Sequence, residues 1–103
     1  MRKRNKHIVC ADGFKMSVQA HEGAYCTPRI SDADYYSHVE IGYPSHVEPL
    51  ILSYAEQKDR PMDTVYGYVP RERVMLVVLK HGGQISGQMP NGIPILPPPK
   101  KNE

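Results

Sequence analysis

A chain of 103 residues, 40% hydrophobic and 23% charged, is about one domain and can build a core without obligatory disulfides or metal staples. No apolar run approaches the roughly 18 to 20 residues of a membrane span, since the longest, "VMLVVL" at 74–79, is far shorter. The net charge of +2 is uneven: Arg2, Lys3, Arg4 and Lys6 open the chain, whereas residues 7–99 carry seven Lys or Arg against ten Asp or Glu, a net of −3.

Asp12 interrupts the first apolar stretch too early for a signal peptide, and two cysteines suit free thiols in a reducing compartment. The chain therefore reads as soluble and cytosolic. Residues 1–6 read as a basic disordered arm, 7–96 as a single domain, and 97–103, "PPPKKNE", as an extended tail whose prolines fix φ and remove backbone donors.

The first predicted element is a hairpin. "HIVCA" and "FKMSVQA" flank Asp12-Gly13, a pair suited to the positive φ of a tight two-residue turn. Such a turn sets Ala11 opposite Phe14 and Cys10 opposite Lys15. Phe14, Met16, Val18 and Ala20 then face the core, and Lys15, Ser17 and Gln19 face water. Gly23 allows another bend before "AYC". "SHVEIGY" at 37–43 alternates Val39, Ile41 and Tyr43 with polar partners as a third strand. "PLILSYAE" at 49–56 fits a short helical turn with Pro49 at its first position. "DTVYGYVP" at 63–70 fits a strand that ends before Pro70.

The main helix is expected over about residues 70–81. Pro70 suits the first turn, Glu72 the positive end of the dipole, and Lys80 the last turn. Val74, Val77, Val78 and His81 form the i, i+3, i+4, i+7 stripe, and Gly82 supplies a left-handed stop. "HGGQISG" at 81–87 follows the helix rather than opening one, so it reads as a cap and connection, not a phosphate loop. "GIPIL" at 92–96 reads as a short edge strand because Pro94 forbids a central one. The sum is a small α+β fold: a mostly antiparallel sheet, one main helix, and disordered tails.

The hairpin region is open to two chemistries. His7-x2-Cys10 and His21-x4-Cys26 supply a zinc-compatible donor set. The order is not that of a zinc finger, however, and residues three apart on a strand point to opposite faces. Core thiols are the simpler reading, with no metal and no cofactor. A thiol nucleophile with a histidine base lacks any flanking signature, so the chain reads as non-enzymatic.

Binding is the remaining class. With seven tyrosines, one phenylalanine and no tryptophan, tyrosine is both core filler and the main aromatic surface. Tyr35, Tyr36 and Tyr43 lie in or beside the third strand, and Tyr66 and Tyr68 are expected to share one face of the fourth. Exposed tyrosines stack on unpaired bases while cations hold phosphates. The candidate nucleic-acid set is Arg2, Lys3, Arg4, Lys6, Arg29, Tyr66, Tyr68, Arg71 and Arg73.

The succession "CADGFKMSVQA", "YCTPR", "YYSHVEIGYPS", "YAEQKDRPMDTVYGYVP" and "HGG" resembles small nonstructural, DNA-binding accessory proteins of microviruses, the gokushovirus-like single-stranded DNA phages. The similarity spans roughly residues 7 to 87. It implies a role in viral DNA metabolism in the cytoplasm of a bacterial host, such as the switch from duplex replication to single-strand synthesis and packaging. It carries no site residues with it. The partner expected is single-stranded DNA. The alternative is a viral or host protein bound without nucleic acid, and an uncovered strand edge would also allow homo-oligomers.

Overall fold

The computed structural model describes residues 4–100. Five strands form one antiparallel sheet: β1 (Ile8–Cys10), β2 (Lys15–Gln19), β3 (His38–Gly42), β4 (Val65–Pro70) and β5 (Gln84–Ser86), in the order β4-β3-β2-β1-β5. Among the described residues a single α-helix, α1 (Arg71–Lys80), follows β4 directly, and a 3₁₀ turn at Leu52–Tyr54 precedes β4. This is the small α+β fold expected, with the helix within one residue of its expected ends. Among the described residues no helix is long and apolar enough to cross a membrane.

The hairpin forms where Asp12-Gly13 predicts it, but with a different register. Ile8 faces Met16 and Val9 faces Lys15, so Ala11, Asp12 and Gly13 make a three-residue loop. Gly13 donates to the Cys10 carbonyl at 2.9 Å and Cys10 to Phe14 O at 2.8 Å. Gly13 itself is left-handed at φ +95°, the conformation that adds a bulge residue to a hairpin turn. The Asp12 carboxylate accepts the Phe14 N–H at 2.9 Å and fixes the loop.

Phe14, Met16 and Val18 enter the core as their alternation requires, yet Ser17 and Gln19, expected in water, are also buried. The reason lies in Asn5. The Gln19 side chain accepts the Asn5 N–H and donates to the Asn5 carbonyl, both at 2.9 Å. Asn5 in turn donates to Val18 O at 3.2 Å, and Gln19 to Ser17 Oγ at 3.0 Å. Polar groups are covered here at little cost because their hydrogen bonds are reciprocated.

β4 carries the second departure. Val39 pairs with Val69 but Ile41 with Tyr66, so Gly67 and Tyr68 both stand opposite Glu40 as a bulge. The extra residue reverses the alternation. Tyr66 is fully buried, whereas Tyr68 is exposed and adopts φ +52°. The two rings therefore do not share a face. The strand also runs through Pro70, which pairs with His38. Tyr43 likewise leaves the β3 alternation, exposed at φ +49°.

α1 buries Val74, Val77 and Val78 in the same hydrophobic core that holds Phe14, Met16, Val39, Ile41, Tyr66 and Val69. It ends as the glycines dictate: Gly82 N donates to Leu79 O at 3.1 Å and Gly83 N to Val78 O at 2.9 Å, the paired bonds of a Schellman cap.

Beyond the cap the expected connection is instead strand β5, pairing Ser86 with Val9 and Gln84 with Cys10. Residues 92–96 form no strand. They run past the outer side of β5, where Gln84 N donates to Leu96 O at 2.7 Å. Gly83 makes the crossing possible, since a Cβ there would lie 2.5 Å from Pro98 N and 2.6 Å from its Cα. Gly83, at φ +99°, is thus required twice. Gly83→Ala is expected to cost about 2 kcal/mol or more, from left-handed strain plus a displaced tail, measurable as a lowered urea midpoint.

Candidate functional site

The sheet has two unlike faces. One holds the core and α1. The other carries Lys15, Ser17 and Gln19 of β2 beside Glu40 and Gly42 of β3. The segment after the Gly23 bend lies across this second face and is pinned at three points. Tyr25 N donates to Glu40 Oε1 at 2.9 Å. Tyr68 N donates to Tyr25 O at 3.0 Å, and Thr27 bridges to His38.

Gly67 is what lets Tyr25 sit so close: a Cβ at that position would be 3.2 Å from Tyr25 Cβ and 3.5 Å from Cδ2. The bulge then turns Tyr68 outward beside it. The ring centroids are 5.9 Å apart with planes tilted by 36°, and Arg29 Cζ stands 5.1 Å over the Tyr25 ring. Tyr25 and Tyr68 are 38% and 46% exposed, so the outward ring surface is available to a ligand. A second cation–π pair sets Arg71 Cζ 4.9 Å over Tyr35, which is 51% exposed.

The chain matches no family model, no curated protein and no solved structure. Its function is therefore read from these side chains.

Of the residues expected to bind nucleic acid, Arg2 and Lys3 lie outside the described residues. Arg4 and Lys6 are exposed, with the Lys6 backbone held by Gln88 Oε1 at 2.8 Å. Arg29 and Tyr68 meet at the tyrosine pair. Arg71 belongs to the second pair, where its guanidinium also donates to Gly92 O. Arg73 donates to Leu50 O at 3.3 Å. Tyr66 is a correction: it is a core residue whose hydroxyl donates to Pro61 O, and no base can reach its ring. Sequence reasoning misses Tyr25, and it places Tyr35 beside the third strand without its Arg71 partner. The one local sign is Gly67 between two tyrosines, since an isolated glycine in a strand marks a bulge or a close approach.

Both thiols are free and buried. Burial, with a smaller contribution from the Asp12 charge, pushes Cys10 up to about 11. Burial likewise raises Cys26, whose thiol donates to His21 O at 3.2 Å. Both remain protonated at neutral pH, and the thiolate is the reactive form. Among the described residues no group of three or more His, Cys, Asp or Glu is disposed to hold a metal ion. A cleft of about 570 Å³ lies between the Asn5 and Asn91 segments, with Glu22 and Asp32 in its walls.

Proposed function

We propose that this protein is a non-enzymatic module that binds single-stranded DNA at the exposed tyrosine pair beside the β4 bulge. Tyr25 and Tyr68 stack with unpaired bases, and Arg29 and the basic arm engage the backbone. The observation that carries this reading is the exposed Tyr25–Tyr68 pair with Arg29 over the Tyr25 ring. Base–aromatic stacking contributes about 1–3 kcal/mol per base and tolerates any sequence. The excess of acidic groups in residues 7–99 makes the arm important, because phosphate contacts gain affinity by counterion release. The resemblance of residues 7 to 87 to microvirus accessory proteins points the same way, towards handling of single-stranded viral DNA.

Fluorescence anisotropy with labelled single-stranded DNA across a salt series tests the proposal. Tyr25→Ala and Tyr68→Ala are each expected to weaken affinity roughly ten-fold while leaving the salt slope unchanged. Replacing Arg2, Lys3, Arg4 and Lys6 by Ala is expected to lower that slope by about 0.7 for each phosphate no longer neutralised. Absence of binding at low salt, or affinity indifferent to both tyrosines, would overturn it.

A protein partner is the second reading. It is favoured by Leu76 and Leu79 on the outer side of α1, 48% and 57% exposed, since exposed apolar side chains three apart on a helix form a contact stripe. Leu76→Glu with Leu79→Glu separates the two readings: it leaves DNA affinity intact if the tyrosine pair is the working surface.

A further inference from the structure

Three segments far apart in sequence meet at one imidazole. His81, at the end of α1, faces Asp12 Oδ2 through Nδ1 and Glu48 Oε1 through Nε2, both at 2.6 Å. Asp12 belongs to the β1–β2 loop and Glu48 to the segment before the 3₁₀ turn. The ring lies flat on Phe14, with centroids 4.1 Å apart and planes within 11°. His46 approaches the same Phe14 at 6.5 Å, Lys80 Nζ sits 3.0 Å from Glu48 Oε2, and the Cys10 thiol stands near Asp12. These are the titratable and charged groups around the ring.

Ionised carboxylates only accept hydrogen bonds. A ring placed between two of them satisfies both contacts only when both nitrogens carry hydrogen. The protonated cluster is balanced, with Asp12 and Glu48 offset by His81 and Lys80. Remove the ring proton and one nitrogen turns a lone pair towards a carboxylate oxygen at contact distance. One carboxylate must then withdraw, and the surroundings decide which. Glu48 is 1% exposed and tied to Leu50 N and Lys80, whereas the Asp12 side chain is 51% exposed and, besides His81, is tied to Phe14 N.

We propose that His81 is a proton-gated clasp: its imidazolium form locks the β1–β2 loop to the end of α1, and its neutral form releases Asp12 and loosens that loop. Backbone bonds from Asp12 N to His81 O at 3.2 Å and from Ala11 N to Gly83 O at 2.9 Å persist, so release is local rather than global. The carboxylates stay ionised well into acid. Burial would raise Glu48, but hydrogen bonding outweighs it, and Glu48 and Asp12 are both held below the usual range. Imidazole is the group whose charge changes between pH 5 and 8.

The test is an NMR titration of the full chain from pH 5.5 to 8.5, which leaves the carboxylates ionised and the thiols protonated. In the wild type the Asp12 and Gly13 amide resonances are expected to shift with the His81 ring resonances. In Asp12→Asn the response is expected to reverse: with the amide oxygen held by the Phe14 N–H, its NH2 faces the ring, a contact the neutral imidazole accepts and the imidazolium does not. His46→Gln is expected to behave as the wild type. Thermal melting gives a second readout: the advantage of wild type over His81→Gln is expected to be smaller at pH 8.5 than at pH 5.5, by a few degrees. Loop amides that ignore the titration of the ring, or a melting difference constant with pH, would overturn the proposal.

Discussion

Replacing Glu48 by alanine is expected to destabilise the protein by about 3–5 kcal/mol, the usual result of removing one partner from a buried ion pair. The carboxylate is 1% exposed and accepts three hydrogen bonds: from Leu50 N at 2.8 Å, Lys80 Nζ at 3.0 Å and His81 Nε2 at 2.6 Å. Lys80 is half-exposed and can turn to water. The Leu50 N–H and the inner face of His81 have no such recourse, and unsatisfied buried donors cost about 1–3 kcal/mol each. A small domain holds about 5–15 kcal/mol in total, so the variant would stand close to unfolding. Glu48→Gln keeps the shape and one acceptor, and its loss is expected to be about half as large. Urea denaturation near neutral pH reads both.

Glu48 also shapes the acid limb of stability. Burial alone would push its carboxyl up, but the bonds from Leu50, His81 and Lys80 outweigh that and hold it below the ordinary range. Asp12 is held low chiefly by its hydrogen bond to His81. A carboxyl depressed in the folded state binds fewer protons there than in the unfolded chain. Its stabilisation is therefore complete above the unfolded value of about 4 and is lost as pH falls through the lower folded value. Wild-type stability is expected to drop steeply below about pH 4, and that of Glu48→Gln less steeply. Parallel acid limbs would show that Glu48 titrates alike in both states.

How much of this could be read from the sequence depends on the range over which each signal acts. The helix was legible to within a residue because its signals are local: Pro70 before the first turn, the Val74, Val77, Val78 stripe, and glycines at 82 and 83. The hairpin was legible in place but not in register, since Gly13 serves equally as a turn residue and as a left-handed bulge. β5 was hidden because three residues, Gln84–Ser86, carry too little periodicity to separate strand from loop. The cluster at His81 could not be seen at all. Its partners lie 69 and 33 residues away, and nothing in the local pattern of "LKHGG" points to either. The face of Tyr66 was misjudged for a third reason: one bulge residue reverses every inference from alternation beyond it.

That reversal yields the sharpest contrast between two neighbouring tyrosines. Tyr66→Ala is expected to cost about 3–5 kcal/mol as a large core truncation, and Tyr66→Phe about 1 kcal/mol for the missing bond to Pro61 O. Neither removes a ring that DNA could touch, so Tyr66→Phe is expected to bind as the wild type does. Tyr68 is the converse. A non-glycine residue in the left-handed region is strained by about 1–2 kcal/mol, and Tyr68 sits there at φ +52°. Tyr68→Gly relieves that strain while giving up a partly exposed packing interaction with Tyr25 of about the same size. Its melting temperature is therefore expected to stay within a few degrees of wild type, while affinity for single-stranded DNA falls about ten-fold. A folded Tyr68→Gly that binds at full strength would move recognition off the tyrosine pair. A Tyr68→Gly that melts far below wild type would show instead that the outward ring is held for packing.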